Sequence, residues 1–304
     1  MRKFVFVLLL LALLYSNAVE AQSSTVALLR QRGAEASLHL PAFAIAQLIE
    51  ILKQEVSLLQ SLLTNMKSRQ EISAQAYIVV NLADNSVLLQ KNSNQSYPIA
   101  SVTKLMTAVI SLGHTLPQET ITLTPEMLKP LGYSPSLYLG LSVSAANLLK
   151  ASLIQSANDA AQSLSHFVGK QKFIQIMNQK AEDLGMANTI FYDAHGLSPN
   201  NRSTASDLAK LLTYIHQNHP EILETTKNND FWLPDRTGTL LKFQNVNNFY
   251  PLSDFVGGKT GYLPEAKQTM AGVFDVNGKA TAIVVLHSQN RQADLFAILR
   301  QLEN

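Results

Sequence analysis

The order of elements legible in the sequence predicts an α+β fold, with one sheet whose strands come from both ends of a domain and helices inserted between them. Three observations carry this. A pair of short β-runs, 76–82 and 86–90, flanks the turn residues Ala83-Asp84-Asn85. A block of amphipathic helical runs follows, from Ser101 to beyond Ile215. Late in the chain, runs 268–274 and 279–286 bracket Asn277-Gly278, a strong short hairpin signal.

Read in order, the chain opens with a charged start, Arg2 and Lys3, and an apolar run from Phe4 to Tyr15. Small residues follow at Ala18 and Ala21, and Val19-Glu20-Ala21 suits cleavage. The run is short of the ~20 apolar residues a membrane-spanning helix needs. Residues 1–21 are therefore expected to be a signal peptide. The mature chain is then expected outside the cytoplasm, in the periplasm or on the cell-wall side. No Cys follows, so no lipoprotein anchor is expected. Residues 22–40 are small and polar and read as a linker.

Segment 41–68 has one Pro, at its first position, and no Gly, which suits a helix. Ile45, Ile49, Leu52, Val56, Leu59, Leu63 and Met66 recur at 3-then-4 spacing. Ile49 and Val56 fall at heptad position a, with Leu52 and Leu59 at d, a choice that favours parallel dimers. Leu48, Leu58 and Leu62 widen the stripe, which favours packing on the chain's own domain. Self-association or a partner through 41–68 therefore stands beside a plain amphipathic helix.

A catalytic domain is expected over 76–304. After the first hairpin, a helix should run from about Ser101 and stop at Gly113. Amphipathic runs 144–154 and 158–168 follow, the second closed by Gly169. Phe173, Ile176, Met177, Ala181 and Leu184 mark a further helix, closed by Gly185. Thr204, with Asp207 three residues on, opens another, as in a capping box. Its apolar face is Leu208, Leu211, Leu212 and Ile215. A helix over 292–302 ends the chain.

Composition narrows the function. A net charge of +2 argues against a nucleic-acid binder. The absence of Cys excludes disulfides, thiolate nucleophiles and Cys-based zinc sites. His216 and His219 lie three apart without the Glu of a His-Glu-x-x-His motif, so no metal site and no cofactor are expected.

Three short motifs occur in order. Ser101-Val-Thr-Lys104 puts a hydroxyl and an amine on one face of a helix, where Lys104 can reach Ser101. To act as a base, Lys104 needs its pKa lowered by burial, a nearby cation or the positive helix start. Lys259 is the candidate cation. Ser156-Ala-Asn158 is one of three Ser-x-Asn runs. Ser198-Pro-Asn200 reads as a turn, and Ser288-Gln-Asn290 comes too late. Ser156 is expected to shuttle a proton to the leaving amine and Asn158 to bond the substrate amide. A simple helix N-cap is the bland alternative for this pair. Lys259-Thr260-Gly261 supplies a cation beside a hydroxyl, suited to a carboxylate, and a Gly beside which a substrate backbone can lie as an added strand. Arg236-Thr-Gly238 is similar but is set aside for lacking a following strand pattern.

Together these motifs resemble those of serine penicillin-binding proteins and β-lactamases. The segment 97–107 around Ser101 is similar to the active-site segment of the D-alanyl-D-alanine carboxypeptidase family, the low-molecular-weight penicillin-binding proteins. Further matches are Ser156-Ala-Asn-Asp-Ala-Ala161, Leu184-Gly-Met186, His195-Gly-Leu197, Ser203-Thr-Ala-Ser-Asp-Leu208, and Asn245 and Asn247 before Gly258-Lys-Thr-Gly-Tyr262. The resemblance runs from about Ala76 to Arg300. It implies the penicilloyl-serine transferase (β-lactamase/transpeptidase-like) fold, an antiparallel sheet flanked by helices plus a helical lobe. It implies Ser101 as acylated nucleophile, Lys104 as base, and the backbone N–H groups of Ser101 and Tyr262 as oxyanion hole. Peptidoglycan stem peptides would be the substrate and β-lactams covalent inhibitors.

The implied reaction is release of the terminal D-Ala from a stem pentapeptide; the alternative is an endopeptidase that cleaves cross-links. Leu263 stands where the family often has Thr, a departure that bears on substrate contacts at the strand end. The short stretch after the Lys-Thr-Gly strand, with the 41–68 helix before the domain, is the arrangement expected of short, endopeptidase-like members. A class A β-lactamase needs a Glu-x-x-Leu-Asn context that neither Glu182 nor Glu221 has. A non-catalytic wall-binding scaffold is opposed by the intact Ser101, Lys104 and Lys259.

Overall fold

The computed structural model describes residues 53–60, 71–130, 132, 136–235 and 237–302. The chain divides into two units, 1–67 and 68–304. In the first, residues 53–60 are helical, inside the helix expected over 41–68. Val56, Leu58 and Leu59 there are each more than half exposed. The expected signal 1–21, the linker 22–40 and the rest of 41–68 lie outside the described residues.

In the second unit, β1 (Ala76–Asn81) and β2 (Val87–Lys91) form the early hairpin. Asn85 turns its corner at φ 58°, a left-handed conformation that Asn tolerates better than most residues. After β3 (Tyr97–Pro98) comes a 3-10 turn, Ala100–Thr103, and then α1 (Lys104–His114). The sequence places one helix from Ser101 to Gly113. The chain instead tightens its first turn, because the Val102 N–H closes on the Ile99 carbonyl three residues back.

Strands β4 (Thr120–Thr122) and β5 (Ser142–Ser144) pair before α2 (Ala145–Ile154). The Ser144 hydroxyl accepts the Asn147 N–H and caps α2. Next come α3 (Asn158–His166) and α4 (Lys170–Asp183). β6 (Arg202–Ser203) pairs with β3, and α5 (Ala205–Asn218) starts at Thr204, whose hydroxyl accepts the Asp207 N–H at 3.1 Å.

Helix α6 (Pro220–Lys227) and the hairpin of β7 (Asp230–Pro234) with β8 (Leu240–Gln244) have no counterpart in the sequence reading. A strand does follow Gly238, contrary to expectation. Gly238 is a hairpin turn at φ 83°, and the Asp235 carboxylate accepts the N–H groups of Thr237 and Thr239. β9 (Phe255–Leu263), β10 (Lys267–Val276), β11 (Lys279–Ser288) and α7 (Arg291–Leu302) complete the domain. Asn277 and Gly278 both have positive φ, as a two-residue hairpin turn of this kind requires.

The main sheet runs β2-β1-β11-β10-β9, antiparallel throughout, so strands from both ends of the domain meet at β1 and β11. Side chains alternate between its faces. Ile78, Val80, Ala282 and Val284 pack with Leu105, Leu208 and Leu212 of the helical block. Val79, Ile283, Val285 and Phe274 pack on the other face with Leu295 and Ile298 of α7. A separate apolar cluster joins α2, α3 and the β7–β8 hairpin through Leu148, Leu164, Leu233 and Phe243.

Phe274 is fully buried, with ring centroids 5.2 Å from Phe255 and 6.3 Å from Phe249. Phe274→Ala is expected to cost about 3–5 kcal/mol, read as a lower urea midpoint at unchanged slope. A loss under about 1 kcal/mol would contradict this packing.

Candidate active site

Ser101 sits in the 3-10 turn, one residue after Ala100, which has φ 48°. An Ala held there is strained, and strain persists only where its surroundings over-determine it. Two glycines do so. A Cβ at Gly196 would lie 2.0 Å from the Ala100 carbonyl oxygen, and one at Gly261 would lie 2.8 Å from the Ser101 nitrogen. Only glycine admits such approaches. Thr269 of β10 also donates to the Ile99 carbonyl at 3.1 Å, tying the turn to the sheet.

Lys104 is fully buried at the start of α1. Its Nζ lies 2.9 Å from Ser101 Oγ, 2.7 Å from Asn158 Oδ1 and 2.6 Å from the His195 carbonyl oxygen. Burial, and then the charge of Lys259, hold its amine well below the ordinary lysine range; Asp193 and Asp159 pull the other way.

Ser156 and Asn158 stand at the junction of α2 and α3. Neither caps α3: the N-cap position is Ala157, without a side-chain hydrogen bond. Asn158 is instead the first helical residue, buried and turned towards Lys104. Ser156 is part-buried at φ 60°, a left-handed conformation that costs an L-residue about 1–2 kcal/mol.

Lys259, Thr260 and Gly261 are buried in the edge strand β9, whereas Tyr262 is 64% exposed beside them. Lys259 Nζ donates to the Thr260 carbonyl at 3.0 Å. Burial, and then the neighbouring Arg291, lower its pKa to about 7. Arg291, at the start of α7, donates to the Gly261 carbonyl at 2.9 Å. β9 is braced from behind. The Thr226 hydroxyl accepts the Gly258 N–H at 2.8 Å, and the Asn247 amide donates to the Gly258 carbonyl at 3.3 Å. Asn245 accepts the Asn247 N–H, so the two asparagines act together.

Of the residues singled out in the sequence, the structure joins Ser101, Lys104 and Asn158 directly. It sets Gly261 against Ser101 and leaves Ser156 two residues from Asn158. Ser198 and Asn200 form the turn expected of them, with the Asn200 N–H on Ser198 Oγ. Ser288 donates to Asp294 at the start of α7. Arg291, Asp193 and Asn201 belong to none of the sequence motifs, and His195 enters only through the resemblance. Arg291 has no motif spacing to announce it. Asp193-x-x-Gly196 carries a weak turn signal. Burial lowers the pKa of His195 to about 4, so its ring is neutral near pH 7.

The family model for D-alanyl-D-alanine carboxypeptidase matches residues 63–290. A D-alanyl-D-alanine endopeptidase of Escherichia coli is 36% identical over 230 residues, which are 72% of this chain and 73% of that protein. The crystal structure of a D-alanyl-D-alanine carboxypeptidase from Mycobacterium tuberculosis superposes with a TM-score of 0.71 at 26% identity, covering 77% of this chain and 91% of that one. Penicillin-binding protein D2 from Listeria monocytogenes, in its cefotaxime-bound form, gives 0.67 at 28% identity, covering 77% and 98%. The mixed fold with its antiparallel sheet is the fold of these proteins, and the chain belongs to the D-alanyl-D-alanine carboxypeptidase family of serine peptidases.

Proposed function

We propose that residues 76–304 form a catalytic domain in which Ser101 attacks the carbonyl carbon of the penultimate D-Ala of a peptidoglycan stem pentapeptide. Lys104 takes the hydroxyl proton as the C–O bond forms. The backbone N–H groups of Ser101 and Tyr262 hold the oxyanion. The C–N bond breaks as Ser156 relays the proton from Lys104 to the departing D-Ala amine, which returns Lys104 to its neutral form, and water hydrolyses the acyl-serine. Asn158 and the β9 edge at Gly261 position the peptide. Lys259 and Thr260 hold its terminal carboxylate.

The observation that carries this reading is the set of partners around Lys104 Nζ. A neutral amine has two N–H groups and one lone pair. The oxygens of Asn158 and His195 are acceptors only, so they take the two N–H groups. The lone pair is left facing the one partner that can donate, the Ser101 hydroxyl.

A second reading, cleavage of cross-links, is favoured by the name of the Escherichia coli relative, an endopeptidase. Its chemistry differs only in the leaving amine. β-Lactams would acylate Ser101 in place of the peptide, as the bound cefotaxime of the Listeria protein suggests. The start at Arg2 and Lys3 followed by an apolar run supports action outside the cytoplasm, in the periplasm or at the wall. Val56 and Leu59 at heptad positions support a self-associating or partner helix over 41–68.

Mass spectrometry of cross-linked, pentapeptide-containing muropeptides tests the reaction. Penicillin-sensitive release of free D-Ala is expected; dimers falling to monomers without free D-Ala would establish the second reading instead. Lys104→Ala should retain the fold and lose about 10²–10⁴-fold in the rate of penicillin labelling. A wild-type rate would remove Lys104 as base.

Gly261→Ala should push β9 from the Ser101 turn, lower stability by about 1–3 kcal/mol and slow labelling per folded molecule about 100-fold. Labelling at the wild-type rate would mean that β9 need not approach Ser101 so closely.

The cation at Lys259 should be lost from free enzyme as pH rises through about 7. KM for D-Ala-terminated peptides should therefore rise above that pH, with kcat less affected. Arg291→Ala, which removes a like charge, should move that rise to higher pH. A KM flat across the range would contradict the carboxylate role of Lys259.

A further inference from the structure

The proposed role of Lys104 depends on the His195 carbonyl, and that carbonyl belongs to a loop whose shape is set by two buried side chains. Asp193 folds the loop around its carboxylate. Oδ1 accepts the N–H groups of His195, at 3.0 Å, and Gly196; Oδ2 accepts that of Ser198 at 2.7 Å. Asn201 fastens the loop to the nucleophile turn. Its Nδ2 lies 3.0 Å from Asp193 Oδ1, 3.0 Å from the Asp193 carbonyl oxygen and 3.1 Å from Thr103 Oγ1. Its Oδ1 accepts the N–H groups of Tyr192 and Asp193. Its own carbonyl accepts the Ile99 N–H at 3.0 Å. Ile99 and Thr103 stand on either side of Ser101, so one fully buried residue grips both ends of the nucleophile turn, Ile99 through its backbone carbonyl and Thr103 through its side-chain amide, and holds the loop opposite through the same amide.

We propose that Asp193 and Asn201 are positioning residues for acylation: they hold the His195 carbonyl against the Lys104 amine and thereby aim its lone pair at Ser101. This rests on the reading of Lys104 as base. With the carbonyl displaced, the amine is free to rotate and offer Ser101 an N–H instead of the lone pair. A neutral amide at 193 can accept with one oxygen only and turns an NH2 group towards the N–H groups now served by the other.

Asp193 also acts through its charge. The charged groups bearing on Lys104 are Lys259, Asp193 and Asp159; the His195 ring is neutral near pH 7. Asp193 favours the protonated amine, so its neutralisation lets Lys104 shed its proton at lower pH. Asn201 is uncharged, and its loss should leave that titration in place. The two variants are thus expected to share a rate defect and differ in pH profile, which a merely structural role does not produce.

The test is stopped-flow labelling of the full chain with a fluorescent penicillin. The amplitude gives the competent fraction, and the rate per competent site is followed against pH. Asp193→Asn should slow the per-site rate about 10- to 100-fold and move the acid limb to lower pH. Asn201→Ala should slow it similarly with the limb unmoved. Wild-type per-site rates in both variants, with loss confined to amplitude or melting temperature, overturn the proposal. Should Asp193→Asn not fold, Asn201→Ala decides alone by its per-site rate. Lys104→Ala, run alongside, separates the two levels: if it labels at the wild-type rate, the base reading itself has failed, whatever Asp193 and Asn201 do.

Discussion

A lysine amine removed from water is the constraint on which the rest of this site depends. Charging it there is costly, and Lys259 adds like-charge repulsion. Both effects favour the neutral amine, the form able to accept a proton. Neutrality alone does not aim a lone pair. In the proposed mechanism the two carbonyl oxygens around Nζ do that, one from a side chain on α3 and one from the backbone of the 193–201 loop. Burial and hydrogen bonding thus divide the work between proton affinity and direction.

Holding these parts together requires close backbone approaches and strain. Ala100 at φ 48° and Ser156 at φ 60° are both non-glycine residues in left-handed conformations, and both adjoin or belong to the motifs. The glycines lie where another backbone must come close, Gly196 under Ala100 and Gly261 beside Ser101. A strained turn clamped between two glycines has little freedom to relax, which suits a hydroxyl that must keep one orientation.

The sheet supplies rigidity where a peptide would lie. β9 has β10 on one side, and Thr226 and the two asparagines brace it. Along that strand, Lys259 is buried with its pKa lowered to about 7, while Tyr262 is open to solvent. One edge therefore passes from a dry, charge-sensitive end to a wet one within four residues. Arg291, reaching from α7 to the Gly261 carbonyl, couples the C-terminal helix to the same edge.

Much of this was legible in the sequence, because it rests on local rules. Alternating apolar residues and Asn277-Gly278 mark the β10–β11 hairpin. Thr204 with Asp207 marks a helix start. Ser101 and Lys104 face one another because three residues make nearly one helical turn. The β7–β8 hairpin escaped notice because its turn, from Asp235 to Thr239, is built on one carboxylate rather than on a two-residue signal. Asn201 and Arg291 escaped because their partners lie far along the chain: Asn201 meets Thr103 across 98 residues, and Arg291 meets Gly261 across 30. Asp193 bonds to near neighbours, the N–H groups of His195, Gly196 and Ser198, and escaped because a single Asp before a Gly is a weak turn signal. By itself the sequence determined the local elements and the order of the chemical groups, since propensity, capping and side-chain period act over a few residues. Only the tertiary structure decided which groups meet, how far the Lys104 and Lys259 amines are removed from water, and which carbonyls surround them, because burial and backbone contact depend on segments that the sequence keeps apart.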